Sequence, residues 1–115
     1  MSKISILIQL TNNKNIIKLV TNTFLTQAKS YEFTSIDNAQ LSPIAQELFY
    51  LPFVKTIYIS QNFIAIEKFP TDLTQIKWED VQNEVAETIE NYLSSGKPII
   101  IAPKENEKTS NKIPI

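Results

Sequence analysis

Ser42-Pro43 and Pro52 bracket a short apolar segment and leave it one regular conformation. The Ser42 hydroxyl can accept a hydrogen bond from an unpaired backbone N–H, and Pro43 suits the first helical position, where no N–H is needed. Ile44, Leu48 and Leu51 then fall on one face at i, i+4 and i+7, with Ala45 and Phe49 beside them. Pro52 ends the helix, because it has no donor and restricts Leu51 before it. The next two segments, Phe53 to Ile59 and Phe63 to Phe69, are rich in β-branched and aromatic residues around Ser60-Gln61-Asn62. They predict a β-hairpin, with Asn62 the expected residue of positive φ.

The rest of the chain supplies elements to pack on this unit. Ile4, Ile6, Ile8 and Leu10 alternate with Ser5, Leu7 and Gln9, a period-2 strand. The asparagine-rich stretch Thr11 to Asn15 predicts a turn into a second strand from Ile16 to Val20, and Tyr31-Glu32-Phe33 predicts a short third one. Trp78, Val81, Val85, Ile89 and Leu93 form the stripe of a long helix whose other faces carry Glu79, Asp80, Glu84, Glu87 and Glu90. Gly96 is its natural end, and Pro98 forbids continuation. Ile99 to Ile101 reads either as a last edge strand or as apolar packing on the core. The fold class expected is α+β, a mostly antiparallel sheet with two main helices packed on one face. The domain is expected to span residues 1–102, with a polar linker over 103–112 and Ile113-Pro114-Ile115 as the start of a following domain.

Composition removes whole classes of chemistry. The 115 residues include no cysteine and no histidine, so disulfides, thiolate-held clusters, compact zinc sites and His-dependent nucleophiles are excluded within this chain. Eleven basic residues against twelve acidic ones leave a net charge of −1, and the lysines are scattered. With no arginine and no basic cluster, no nucleic-acid partner is expected. No apolar run approaches the ~20 residues needed to span a bilayer, so no membrane partner is expected either. Ser5 and Gln9 interrupt the only N-terminal apolar run, which predicts a cytoplasmic protein.

Taken together, Thr11, Asn13, Asn15 and Lys18 of the first turn, Glu32-Phe33-Thr34-Ser35, Ser42-Pro43-Ile44-Ala45, Leu48-Phe49, Pro52, Val54-Lys55, Phe63-Ile64, Trp78 and Ser95-Gly96-Lys97-Pro98 resemble the N-terminal domain of Nfu/NifU-type iron–sulfur cluster scaffold proteins. The likeness covers most of Ile4 to Ile101. Both prolines of that family's Thr-Pro-Asn-Pro-Asn turn are replaced here. In that family a Cys-x-x-Cys pair in a separate domain holds the cluster, so the resemblance implies no cofactor in this chain. It implies a non-catalytic docking domain whose partners are the iron–sulfur carrier domain of the same full-length protein and the donors or recipients of clusters. A free-standing protein–protein adaptor is the alternative. An enzyme working with carboxylates alone is a third reading, but Asp72, Glu79 and Asp80 read better as charges that complement a helix start.

Six residues are candidates for partner contact. Thr11, Asn13, Asn15 and Lys18 belong to the first turn and the strand after it, read either as a contact loop or as plain turn chemistry. Tyr50 and Phe53 flank Pro52, where one helix cannot bury all its neighbours; either both wrap onto the core or they form an exposed patch. Glu84, Glu87 and Glu90 read as a solvated helix face in preference to a metal site.

Overall fold

The structure, a computed structural model, describes residues 3–27, 29–70 and 75–101. The expected linker and the apolar end after it lie outside these residues, as does Asp72. In chain order the elements are β1 (Ile6–Leu10), β2 (Ile16–Thr21), β3 (Ser30–Phe33), a 3-10 turn (Ile36–Asn38), α1 (Pro43–Phe49), β4 (Val54–Ser60), β5 (Phe63–Lys68) and α2 (Trp78–Ser94). The strands form one sheet in the order β1-β2-β5-β4-β3, and every neighbouring pair is antiparallel. The fold class is α+β, as the sequence pattern requires.

Alternation decides which residues face the helices. Ile17 and Leu19 of β2, Ile57 and Ile59 of β4, and Ile64 and Ile66 of β5 form continuous buried rows across the sheet, because Leu19 pairs with Ile64 and Ile64 with Ile59. Ile44, Ala45 and Leu48 of α1 and Trp78, Val85, Ile89 and Tyr92 of α2 complete this core. Val81 and Leu93, placed on the buried stripe by helical spacing, are only half-buried, and Tyr92 takes a core position instead. Its hydroxyl donates to the Pro98 carbonyl at 2.6 Å, which lets a polar tip sit inside.

The local signals are used as chemistry dictates. Ser42, fully buried, accepts from the Ala45 N–H at 3.3 Å and donates to the Ile99 carbonyl at 2.8 Å. One hydroxyl thus caps α1 and holds the chain's exit from α2, where the Ile101 N–H also reaches the Leu41 carbonyl at 2.6 Å. Ile99 and Ile100 pack on the core and add no strand. Gly96 has φ +79°, the left-handed conformation that glycine adopts without strain. The 3-10 turn has no counterpart among the expected elements, although Ser35 and Asn38 build a capping box around it. In the β4–β5 turn it is Gln61, not Asn62, that has positive φ, at 51°. The Asn62 carbonyl is needed in place, since it accepts from the Thr21 N–H at 2.7 Å.

Candidate functional site

The β1–β2 turn is built by its own side chains. Thr11 Oγ1 accepts from the Asn13 N–H at 3.1 Å and lies 2.9 Å from the carbonyls of Asn13 and Ile16, between which its one proton is shared. Asn13 Oδ1 accepts from the Asn15 N–H at 2.9 Å, and the Ile16 N–H closes the turn onto the Asn13 carbonyl at 2.9 Å. This local bonding replaces the rigidity that prolines would give.

Asn15 joins the turn to the rest of the molecule. Its carbonyl accepts from the Lys68 backbone N–H at 2.8 Å and from the Trp78 indole N–H at 2.9 Å, so one peptide group ties β2 to β5 and to the first turn of α2. Its side-chain oxygen accepts from Lys68 Nζ at 3.4 Å. Lys68 is only 2% exposed, and its ammonium also donates to the Phe69 carbonyl at 3.2 Å. Such oxygen partners offset the cost of burying a polar group. The Trp78 ring stands edge-on to Phe53, centroids 5.7 Å apart, which packs the base of the turn against the core.

Beside this turn lies a cavity of about 750 Å³. Ile8 and Leu10 of β1 and Ile16 and Ile17 of β2 form its apolar wall. Trp78 and Gln82 close it from α2, while Lys14 and Lys77 stand at its mouth. The size is that of a pocket for a small ligand or for one or two side chains of a partner. Among its described lining residues are the exposed Lys14, Lys77 and Glu79 and the buried Lys68. α2 starts at Lys77 with no side-chain cap.

The candidate residues separate into different places. Thr11 and Asn13 line the cavity, and Asn15 fixes its edge. Lys18, although in the same stretch, points to the opposite face of the sheet, where its Nζ lies 4.2 Å from the Phe63 ring centre. Tyr50 ends α1 and is 76% exposed. Of the two alternatives for Pro52's neighbours, Phe53 takes the core: it is 4% exposed and lies edge-on to Trp78, so it offers no surface for partner contact. Glu84 and Glu87 are exposed along α2, and among the described residues no three acidic side chains gather in a metal-binding arrangement.

Sequence reasoning missed Lys68 and the indole contact. The signal for Lys68 is present: the alternation that sends Ile64 and Ile66 inward sends Lys68 inward too. Nothing in the sequence announces that Trp78, sixty-three positions from Asn15, donates to its carbonyl. A second, smaller hollow lies between α1 and α2, lined by Glu47, Thr88, Tyr92 and Lys97. There burial, and secondarily the Glu47 carboxylate, hold the Tyr92 phenol above its usual pKa of 10.0.

Among the described residues, no helix is long and apolar enough to cross a membrane. Comparison with solved structures gives the same fold. The solution structure of a NifU-like protein from Saccharomyces cerevisiae superposes with a TM-score of 0.73 at 23% identity, covering 88% of this chain and 87% of that one. The crystal structure of protein SAV1430 from Staphylococcus aureus gives 0.60 at 24% identity, covering 76% of this chain and 99% of that one. Among sequences, the protein named "NFU1 iron-sulfur cluster scaffold homolog, mitochondrial" from Drosophila willistoni is 29% identical over 85 residues. Its human namesake is 25% identical over 90 residues. The chain spans about a third of these relatives or less, 28% of the fly protein and 34% of the human one. The family described as "Scaffold protein Nfu/NifU N terminal" matches residues 6–96, and with that match and the shared fold the chain belongs to the Nfu/NifU N-terminal family.

Proposed function

We propose that this chain is a non-catalytic docking domain of an iron–sulfur cluster scaffold or carrier. The observation that carries the reading is the family match over residues 6–96 in a sequence that contains neither cysteine nor histidine. An iron–sulfur cluster is held chiefly by thiolates, so the cluster of such a protein must sit on another domain, one with a Cys-x-x-Cys pair. This domain then brings the cluster-bearing unit to the proteins that donate or receive clusters. Thr11 and Asn13, on a turn held firmly to sheet and helix, are the contact residues, with Asn15 as the anchor of the turn. Lys18 and Tyr50 belong to separate surfaces available to further partners. The partners are proteins of cluster assembly, not nucleic acid or membrane, and the setting is cytoplasmic.

Anaerobic reconstitution with ferrous iron and sulfide tests the reading. The chain alone should remain colourless after desalting, while the same chain joined to a Cys-x-x-Cys domain should retain iron and sulfide. A stable coloured species with stoichiometric iron and sulfide on the isolated chain overturns the proposal.

A further inference from the structure

The sheet has two edges, β1 and β3, and they are finished differently. β3 has four residues and carries Glu32. β1 runs Ile-Leu-Ile-Gln-Leu, with none of the charges, prolines or bulges that commonly shield an edge from pairing. Among the described residues, β1 bonds β2 on one side and nothing on the other.

The buried face also stops short at this edge. Ile17 and Leu10 are directly paired across β2 and β1, yet Ile17 is 1% exposed and Leu10 77%. Leu10 and its same-face neighbour Ile8 open into the cavity beside the β1–β2 turn. A further strand would lie about 4.8 Å outside β1 and would set every second side chain beside the exposed Leu10 and the half-buried Ile8. The exposed lysines at the cavity mouth, Lys14 and Lys77, would meet that strand with positive charge.

We propose that β1 is the docking edge of this domain and that its occupant is an extended segment of a partner protein, added as a sixth strand, whose cavity-facing residues are an apolar side chain with a carboxylate two positions to either side. Main-chain bonds to β1 supply the affinity, the apolar side chain enters the cavity beside Leu10 and Trp78, and the carboxylates at i−2 and i+2, which the pleat puts on the same face, meet Lys14 and Lys77. The Asn15 junction holds the receiving surface in shape beforehand, which lowers the ordering cost of binding. A second copy of this chain is a poorer occupant, since its own β1 has no acid to offer the lysines. The inference rests on the docking reading and names where docking occurs and what is recognised.

Trp78, the chain's single tryptophan, lines the cavity and reports on it. The 115-residue chain is titrated with the blocked peptide Thr-Glu-Thr-Leu-Thr-Glu-Thr, whose leucine and two glutamates share one face, while indole emission is followed. A saturable change is expected. Two peptides N-methylated at alternate sets of amides should differ, one of them losing at least tenfold in affinity, because only one set faces β1. A peptide with lysine in place of each acid should bind at least tenfold more weakly, and the Lys14→Glu/Lys77→Glu variant should reverse that preference. Leu10→Asp, at an exposed position, should weaken the parent peptide at least tenfold. Equal binding of both N-methylated peptides, an unchanged charge preference, or no response to any peptide overturns the proposal. So does saturable binding of octanoate where the peptides fail, or self-association in ultracentrifugation that Leu10→Asp abolishes. A chain that stays colourless on reconstitution yet ignores every peptide loses only the edge assignment. A chain that takes up a cluster loses the docking reading whatever the peptides do.

Discussion

Ile64 and Phe63 are neighbours on one strand, and they live on the two faces of the same sheet. The helix-covered face is aliphatic: Ile17, Leu19, Ile57, Ile59, Ile64 and Ile66 are shut off from water. The open face uses the alternate residues of the same strands, and its apolar groups sit among charged and polar companions. Lys18 lies over Phe63, the Tyr58 ring is 6.0 Å from it, and Lys55 reaches Glu67 at 3.8 Å. Burial on one side removes the need for polar partners, while water on the other makes long lysine stems useful covers for apolar surface. Folding free energy is therefore concentrated in one face, and the other is free to change at small cost.

The sharpest way to break this contrast is a pair of substitutions one residue apart. Ile64→Ala should cost about 3 kcal/mol, the value for a large-to-small change in a close-packed core. Phe63→Ala should cost about 1 kcal/mol, as for cross-strand and cation–π contacts at a wet surface. Urea denaturation that gave the two equal losses would mean the open face is covered in solution. On the covered side, Trp78→Phe keeps most of the ring and removes the bond to the Asn15 carbonyl, so a loss of about 1 kcal/mol is expected. A near-zero loss, with unchanged exchange protection around Asn15, would remove the anchor assigned to the turn.

Alkaline pH tests the helix side of the molecule. The Tyr92 phenol has its pKa raised in the folded protein, so its contribution to stability is present below pH 10.0 and is lost as pH rises through the folded value. Stability should therefore fall above that pH, and the fall should be shallower in Tyr92→Phe. An identical slope in the two proteins would detach Tyr92 from the effect. At the small end, Lys18→Ala should cost about 0.5 kcal/mol for the lost cation–π contact, and Lys14→Ala a few tenths at most.

Where local chemistry decides, this molecule is readable from its sequence. Ser42-Pro43, Pro52, Gly96 and the alternation of Ile57, Ile59, Ile64 and Ile66 each act through a rule that spans a few residues, and each element forms where that rule puts it. Where long-range geometry decides, it is not. Asparagine is the better left-handed residue, but the β4–β5 turn must present the Asn62 carbonyl to Thr21, so Gln61 takes the positive φ. Phe53 reads as surplus to a short helix until Trp78 folds back over it. The candidate site is half legible. Turn chemistry and resemblance single out Thr11, Asn13 and Asn15, yet Lys68 and Trp78, which hold that turn, come from β5 and α2. Lys18 stands with the turn in sequence and is parted from it by the pleat.

Ser42 gives the domain a mechanical property. Its hydroxyl joins the first turn of α1 to Ile99, and the Ile101 amide is held to Leu41, so hydrogen bonds fasten the two ends of the helical layer to each other. A pull on the chain beyond Ile101 is felt at Leu41 and Ser42 before any strand carries load. These two bonds, and not the pairing of β1 with β2, lie nearest the point of pulling. A tug applied at Ile101 strains the cap of a helix while the edge strand keeps its shape.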